Sequence, residues 1–543
     1  MREFSFNLDK DILNKGLRAD DRESINAFAI RTMKNLKPSP FGLVPPSTIT
    51  NPVNTPSTST VVWPLPKILR GENSTTLIKD NSGTQEFYAM TETAGAWTGS
   101  ILAPKKAEST GTTYVPSSGK HWEKVSFDTN WILCNGEDLI YNFPGNASDL
   151  VLGVKTDGST GLKCKSIAKH TKQNRLFLGG LSGTYFTGSA QWTSAMFPIW
   201  ASAISHPRPQ GRPEQYTSDS QTFGDNYVMW SDFAGGDYEV PFVTLLAMLG
   251  LPDSTTYDEI NDAAQQDLED GKTGMVQLKC QGAVLAIKQL GDNLVCYTED
   301  KVIMLVPDEQ YYTQQEILSV GIKSRTAVGG NEAEHIFVDV ADNLWKISSN
   351  GIERLRYNEL MDNLTAADIV ISMDPLERDY WITDGSTGYI LTPEGLCETT
   401  RLPTSLNRIS DGLVGISTVP STGNTEKEFT LKFDLGDLGA RDFKTLKQMD
   451  VFSLDLVTLK GKWLYKYKAN DKWSGTPLSP ANFEGVIFCG KPTAIDFQGQ
   501  LEGAWNNVRS KLERVTIRYQ GTGKRNRRGA QGVIGRQQDS LAQ

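Results

Sequence analysis

The chain has 543 residues, 55 basic and 64 acidic side chains, a formal charge of −9 and a 38% hydrophobic share. That length holds a large core and two or three domains, and a net acidic chain does not coat nucleic acid by its overall charge. The start, Met1-Arg-Glu-Phe-Ser-Phe-Asn-Leu-Asp9, lacks the apolar core of a signal peptide. The longest apolar stretch, residues 240–251, is too short to span a bilayer, so a soluble, non-exported protein is expected.

In chain order, residues 1–58 read as an N-terminal arm. Residues 22–36 have a weak helical period, with Ile25, Phe28, Ala29 and Met33 partly on one face. Residues 37–66 contain Lys37-Pro-Ser-Pro-Phe-Gly-Leu-Val-Pro-Pro46 and Trp63-Pro-Leu-Pro66. Proline removes donors and fixes φ, so this stretch is expected to be extended, without regular ladders, and ordered against a neighbouring subunit. Deleting residues 1–58 should then leave a folded monomer.

From residue 59 the pattern becomes β. Trp131-Ile-Leu-Cys-Asn-Gly-Glu-Asp-Leu-Ile-Tyr141 reads as a hairpin turning at Asn135-Gly136. Arg175-Leu-Phe-Leu-Gly-Gly-Leu-Ser-Gly-Thr-Tyr185 follows 44 residues later. Three further hairpins begin at Leu294, Ile336 and Tyr380. Ile303, Trp345 and Tyr389 fall at matching places in them, with offsets of 42 and 44 residues. A β repeat of that length is one four-stranded propeller blade. The fold class expected is all-β: a propeller over residues 59–435 with about six blades, an inserted loop and helix segment at about 187–273, and a sandwich-like C-terminal domain at 436–520. Blades are expected near 121–141, 166–186, 276–306, 333–356 and 368–398, with 59–116 and 400–435 completing the circle.

Within the insertion, residues 253–270 hold seven acids behind a Thr256-x-x-Glu259 capping box. Asp258, Asp262 and Asp267 are candidates for an acidic surface facing DNA or a partner, with a solvated helix face as the alternative. Residues 521–543 read as a flexible basic tail, where Lys524, Arg525, Arg527 and Arg528 are candidates for phosphate or partner contact.

No catalytic arrangement stands out. His121, His170, His206 and His335 have no metal-ligand spacing. Asp339, Asp342 and Asp384 fall at hairpin turns, which Asp favours. Cys134, Cys164, Cys280, Cys296, Cys397 and Cys489 form no Cys-x-x-Cys pair and read as buried free thiols, which suits a reducing compartment. Neither an enzyme activity nor a cofactor or metal is expected.

Several segments resemble the nozzle, tail tubular protein B or packaged-DNA stabilisation family of short-tailed double-stranded DNA phages. They are Asn35-Leu-Lys-Pro-Ser-Pro-Phe-Gly-Leu-Val, Trp131-Ile-Leu-Cys-Asn-Gly, Asn174-Arg-Leu-Phe-Leu-Gly-Gly with Val228-Met-Trp-Ser-Asp, Ser319-Val-Gly-Ile-Lys-Ser with His335-Ile-Phe-Val-Asp, and Leu512-Glu-Arg-Val-Thr-Ile-Arg-Tyr-Gln-Gly. The resemblance implies a structural, homo-hexameric ring in a virion tail, assembled in the host cytoplasm. Its partners would be adaptor and portal-side proteins, tail fibre or needle proteins, and double-stranded DNA in the lumen. Alternatives from other classes are a receptor- or glycan-binding propeller and a propeller glycosidase.

Overall fold

The computed structural model describes residues 3–8, 13, 16–17, 30–50, 61–65, 74–81, 84–93, 96–102, 122–127, 130–135, 139–141, 163–182, 184–186, 220–222, 224–230, 274–308, 311–355, 357–409, 412–417, 427–436, 442–468 and 471–525. They are nearly all β-strand, and the named helical elements are the short Asn358–Met361 and Ala366–Asp368. The chain divides into two compact units. One comprises residues 49–373 and 404–416, the other residues 1–48, 374–403 and 417–543.

The first unit is propeller-like. Its sheets follow one another along the chain as antiparallel meanders. The first holds Val61–Leu65, Ser74–Asn81, Thr84–Thr93 and Ala96–Leu102; the second holds Glu123–Phe127, Asn130–Cys134 and Leu139–Tyr141. The third contains Lys163–His170, Arg175–Ser182, Tyr227–Trp230 and Gly274–Gln277. The fourth contains Val284–Leu290, Asn293–Thr298, Val302–Asp308 and Tyr311–Leu318, and the fifth Val328–Gly330, Glu334–Val338, Leu344–Ser348 and Gly351–Arg354. A last sheet joins Pro403–Ile409 and Gly412–Ser417 to Ile49–Thr50 in parallel.

The repeat is visible in the register. Ile303, Trp345 and Tyr389 are each the second residue of a third strand, opposite Cys296, Phe337 and Ile382. The turn acids do what their positions suggest. Asp339 Oδ1 accepts the N–H groups of Ala341 and Asn343 at 2.8 Å, and its Oδ2 accepts Trp345 Nε1 at 2.8 Å. Asp342 takes a φ of 63°, and Asp384 Oδ1 accepts the N–H groups of Ser386 and Thr387.

Neighbouring sheets pack through large side chains. Phe177, Trp230, Leu294, Ile303 and Tyr312 form one buried cluster; Ala286, Tyr297, Phe337 and Ile347 form the next. Each such side chain contributes about 1.5–3 kcal/mol by leaving water. The Gly-Gly of the third sheet is required by this approach: a Cβ at Gly179 would meet Ile287 Cδ1 at 2.2 Å, and Gly180 has a φ of +64°.

The second unit is a β-sandwich. Its larger sheet runs Asp379–Thr383, Gly388–Leu391, Leu396–Thr399, Ile30–Lys34, Glu428–Gly436, Asp496–Trp505, Leu456–Lys466, Ser474–Gly475. Its smaller sheet runs Lys37–Ser39, Gly42–Val44, Lys511–Arg525, Asp442–Leu454, Val486–Ile487, with Glu3–Leu8 also paired to Lys511–Arg525. The inner faces interlock tightly. A Cβ at Gly461 would come 3.1 Å from Ile487 Cδ1 and 3.2 Å from Met449 Cε across the sheets, and within the larger sheet one at Gly499 would overlap the ring of its ladder partner Phe433.

Three expectations are corrected here. First, residues 30–44 are not an unladdered arm, nor are 30–34 helical. Ile30–Lys34 is an interior strand, antiparallel to Glu428–Gly436, and Lys37–Ser39 pairs with Gly42–Val44. Proline is tolerated because the hairpin strands are only three residues long, and because side chains anchor the segment. Asn35, at φ 55°, accepts Thr400 N–H at 2.9 Å, donates to the Glu428 carbonyl at 2.9 Å, and its own carbonyl accepts Trp505 Nε1 at 2.9 Å. Lys37 Nζ lies 2.7 Å from Asp379 Oδ2, with both side chains under 10% exposed.

Second, the meander expected near 368–398 is present as Val370–Asp374, Asp379–Thr383, Gly388–Leu391 and Leu396–Thr399, but residues 374–399 of it fall in the sandwich unit and only those up to 373 in the propeller-like unit. The meander's last strand, Leu396–Thr399, pairs onward to Ile30–Lys34. Of residues 400–435, those from 404 to 416 belong to the propeller-like unit, and Glu428–Gly436 to the sandwich. Third, the basic tail begins later than residue 521, because Lys511–Arg525 is one strand whose Arg525 pairs with Asp442.

Removing residues 1–48 should therefore abolish the cooperative unfolding of the sandwich, measured by urea titration of the truncated chain. A folded monomer would contradict the interior position of Ile30–Lys34. Lys37→Ala should cost about 3–5 kcal/mol, because it strands a buried carboxylate. Burial pushes the Asp379 carboxyl up to about 6 against the pull of Lys37. A raised folded value adds stability that is complete below the ordinary carboxylate range and is lost as pH rises through 6. Asp379→Asn should flatten the pH dependence of unfolding between about pH 4 and 6.

Candidate functional site

The first strand of each propeller-like sheet has one edge without a ladder partner in its own sheet. On the third and fourth sheets, a side chain from the preceding sheet satisfies one N–H of that edge. The Glu123 carboxylate, on the first strand of the second sheet, accepts Ser166 Oγ at 2.6 Å and Ile167 N–H at 3.1 Å on the first strand of the third. Ser166 Oγ in turn accepts Ile287 N–H at 2.9 Å on the first strand of the fourth. Arg325, just before the first strand of the fifth sheet, reaches back to the second. Its Nη2 donates to the Cys134 carbonyl at 3.3 Å, and its Nε lies 3.9 Å from Glu123 Oε1. Contacts between the second and fifth sheets that pass the third and fourth mark the place where first strands converge. An acid, a guanidinium, a hydroxyl and two buried thiols fill it. Burial and the adjacent Cys134 push the Cys164 thiol well above its ordinary value, so it is a poor nucleophile.

A second network ties the sheets at the end carrying their first turns. His170 Nε2 bonds the Asp292 carbonyl at 2.9 Å, and its Nδ1 accepts Gln173 N–H at 3.1 Å. Gln289 Oε1 accepts Thr171 N–H at 2.8 Å, and Gly291 N–H donates to the Glu332 carbonyl at 2.7 Å. His335, fully buried, bonds the Gln289 carbonyl through Nε2 at 2.9 Å and Tyr297 Oη through Nδ1 at 2.8 Å. Both histidines are thus satisfied structural groups, as their strand positions suggest.

The insertion is rooted in the third sheet at two opposite ends. One excursion leaves after Arg175–Ser182 and returns at Tyr227–Trp230, and within it Thr184–Phe186 pairs with Ser220–Thr222. The other leaves after Trp230 and returns at Gly274, at the end that carries the 171–174 turn. Asp258, Asp262 and Asp267 belong to this second excursion but lie outside the described residues, as do Arg527, Arg528, His121 and His206. The backbone of Lys524 and Arg525 ends the strand Lys511–Arg525.

Chemically, this arrangement holds sheets together. Both Glu123 and the turn acids spend their oxygens on protein donors. Among the described residues, no group of three or more His, Cys, Asp or Glu is placed to hold a metal ion. All six cysteines are free; five are buried, and burial pushes the half-buried Cys280 up to about 11. No helix among the described residues is long and apolar enough to cross a membrane.

The Glu123–Ser166–Arg325 network escaped sequence reading, because its members are up to 202 residues apart (123 to 325) and share no motif. A row of lysines at residues 460–472 also went unremarked there. Its signal was present as alternate lysines within a strand pattern.

No family model matches the chain, and no curated protein matches it. Among solved structures, PorZ, a surface component of the type-IX secretion system of Porphyromonas gingivalis, aligns at 10% identity over 79% of this chain, with a TM-score of 0.27. This chain spans about half (49%) of that protein. BBS1N, in complex with ARL6DN, aligns at 8% identity over 69% of this chain and 97% of its own, with a TM-score of 0.35. An exo-β-1,3-galactanase from Phanerochaete chrysosporium, solved with β-1,3-galactotriose, aligns at 7% over 87% and 99%, with a TM-score of 0.27.

The His335 environment generates a pH prediction. Burial lowers this imidazole from 6.5 to about 3. A depressed folded value means that the unfolded chain binds the proton first. Stability is therefore complete above about pH 6.5 and falls as pH drops toward 3, by on the order of 5 kcal/mol over the full span. His335→Gln should lower stability at pH 7 and remove much of the acid sensitivity, read from urea midpoints at pH 7 and pH 4.5. An unchanged acid slope would place that sensitivity elsewhere.

Proposed function

We propose that the chain is a non-enzymatic structural protein of a phage tail. It acts as a subunit of a homo-hexameric ring that extends the DNA channel, retains the packaged genome and passes it at ejection. The reading rests on the family resemblance of the sequence, and one structural observation supports it. Of 13 exposed large apolar side chains among the residues whose side chains are described, which leaves out those of residues 61–102, Val340 alone lies in the propeller-like unit. The other 12 sit on the sandwich, including Phe41 at 74% exposure, Val508 at 70% and Phe483 at 97%. Phe483 is presented by a tight turn in which Asn482 Oδ1 accepts the N–H groups of Glu484 and Val486. Exposed apolar groups concentrated in this way favour association. Neighbours in the particle would be portal-side adaptor proteins and tail fibre or needle proteins.

Glycan recognition or cleavage is the competing reading, because a propeller-like unit can host either. Cleavage needs two carboxylates flanking a bond, at about 5–10 Å from each other, whereas Glu123 and the turn acids are committed to holding backbone.

Electron microscopy of the purified full chain, at micromolar concentration and with increasing protein, should show six-fold rings with an axial hole. A strictly monomeric chain that binds a sugar on a glycan array, or releases reducing ends from a β-glucan or galactan, would replace the tail reading.

A further inference from the structure

The strand Leu456–Lys466 of the larger sandwich sheet carries lysines at alternate positions. Lys460, Lys462 and Lys466 share the sheet's outer face, because Gly461 and Trp463 between them are buried inward. Lys468 and Lys472 follow beyond the strand, both exposed. Six lysines elsewhere, Lys37, Lys172, Lys301, Lys323, Lys346 and Lys511, lie against a carboxylate, while others such as Lys279, Lys427 and Lys491 stand singly among the described residues. The five lysines of this face have no ion pair among the described residues. Glu502 stands directly across the ladder from Lys460, yet it is bonded by Gln500 Nε2. Over residues 456–480 the balance is five lysines against one acid, Asp471, in a chain whose total is −9, and the neighbouring strand adds Asp496 across from Lys466 as well as Glu502, leaving the face with five lysines against three acids. Local density of one sign, not net charge, decides what a surface attracts.

The partner's chemistry follows from two details. Alternate residues of a strand are about 6.6 Å apart, or about two nucleotide steps along one DNA strand at 3.4 Å each. Single-stranded nucleic acid is held by aromatic stacking platforms. Here Trp473 is covered by Lys466, whose Nζ sits 4.4 Å from the ring centroid. Tyr465 falls on the opposite side of the strand from the lysines. Tyr467 is exposed but meets Tyr465 edge-on with centroids 5.7 Å apart, so the two exposed rings beside the lysines are each engaged by a neighbour, which suits the outside of a duplex better than a stacking platform for single bases.

We propose that the outer face of Leu456–Lys466, with Lys468 and Lys472, is a contact surface for the phosphate backbone of double-stranded DNA, independent of sequence. That this duplex is a packaged genome rests on the tail reading; the contact itself does not.

The test is fluorescence anisotropy of a labelled 30-base-pair duplex with the full-length protein at 50 and 200 mM salt. About four phosphate contacts should weaken binding about 100-fold between those salts. Replacing Lys460, Lys462, Lys466 and Lys468 together by Gln should weaken binding at 50 mM at least about 10-fold and reduce the salt slope by about one unit per lysine. Unchanged circular dichroism and urea midpoint show that the variant is folded, since all four side chains point outward. A second variant with Lys524, Arg525, Arg527 and Arg528 changed to Gln should keep most of the binding. The proposal is overturned if the wild type does not bind duplex, if the strand variant binds as well as wild type, if only the tail variant loses binding, or if a single strand binds more tightly than the duplex. Ring formation is read separately by microscopy, so loss of the DNA contact and failure of the ring reading give different results.

Discussion

The sandwich depends on a clasp made by two residues near the start of the chain. Asn35, with its left-handed backbone, connects three strands from distant parts of the sequence through its side chain and carbonyl. Two residues on, Lys37 places a charge under cover against Asp379. A buried pair of this kind is poor evidence of net stability, because desolvation offsets the attraction. Lys37 also lies 3.6 Å from the more exposed Glu377, so its charge is shared between two carboxylates of one turn and strand. Arg401 adds a third tie, donating to the Pro46 carbonyl at 3.0 Å. Together these contacts hold a proline-rich stretch that has little ladder of its own.

The propeller-like unit solves a different problem. Its first five sheets, between residues 61 and 354, are antiparallel meanders of strands consecutive in their sheet, whereas the last sheet joins Gly412–Ser417 to the distant Ile49–Thr50. The inner edge of each meander remains open, and open edges invite wrong pairing. Glu123 and Ser166 close two of these edges with side-chain oxygens placed on backbone N–H groups. His170 and His335 lock the turns between consecutive sheets through hydrogen bonds to the Asp292 and Gln289 carbonyls.

The legible part of the fold was the local part. Hairpins with polar turns, the equivalence of Ile303, Trp345 and Tyr389, and the turn roles of Asp339 and Asp384 all follow from spacing and residue type. What failed to show was the choice of partner. Residues 374–399 have the same hairpin grammar as the blades, yet their outer strand joins Ile30–Lys34, because pairing across more than 360 residues leaves no periodic trace. Prolines at 38 and 40 read as excluding a ladder, and burial of Leu36 and Leu43 overrode that reading by docking the stretch as a short hairpin. The Glu123–Ser166–Arg325 network had no signature at all: one Glu, one Ser and one Arg are ordinary until folding brings them together. Of the candidate cations, the tail cluster drew notice as a run, whereas the lysines of Leu456–Lys466 were diluted by the strand's own alternation.

The sandwich has a consequence for biosynthesis. Its sheets interleave strands from residues 3–44 with strands from residues 379–525. A ribosome must release hundreds of residues before Ile30–Lys34 meets Glu428–Gly436. The sheets of residues 61–354 are sequence-local and can close as they emerge, whereas the early strands must wait with unpaired edges and apolar faces such as Met33 and Leu43. Loop-closure entropy makes that final step slow, and the waiting intermediate is the aggregation-prone species. Chaperone dependence and poor yield at high expression rate should therefore trace to the sandwich, and slower synthesis should favour recovery of native chain.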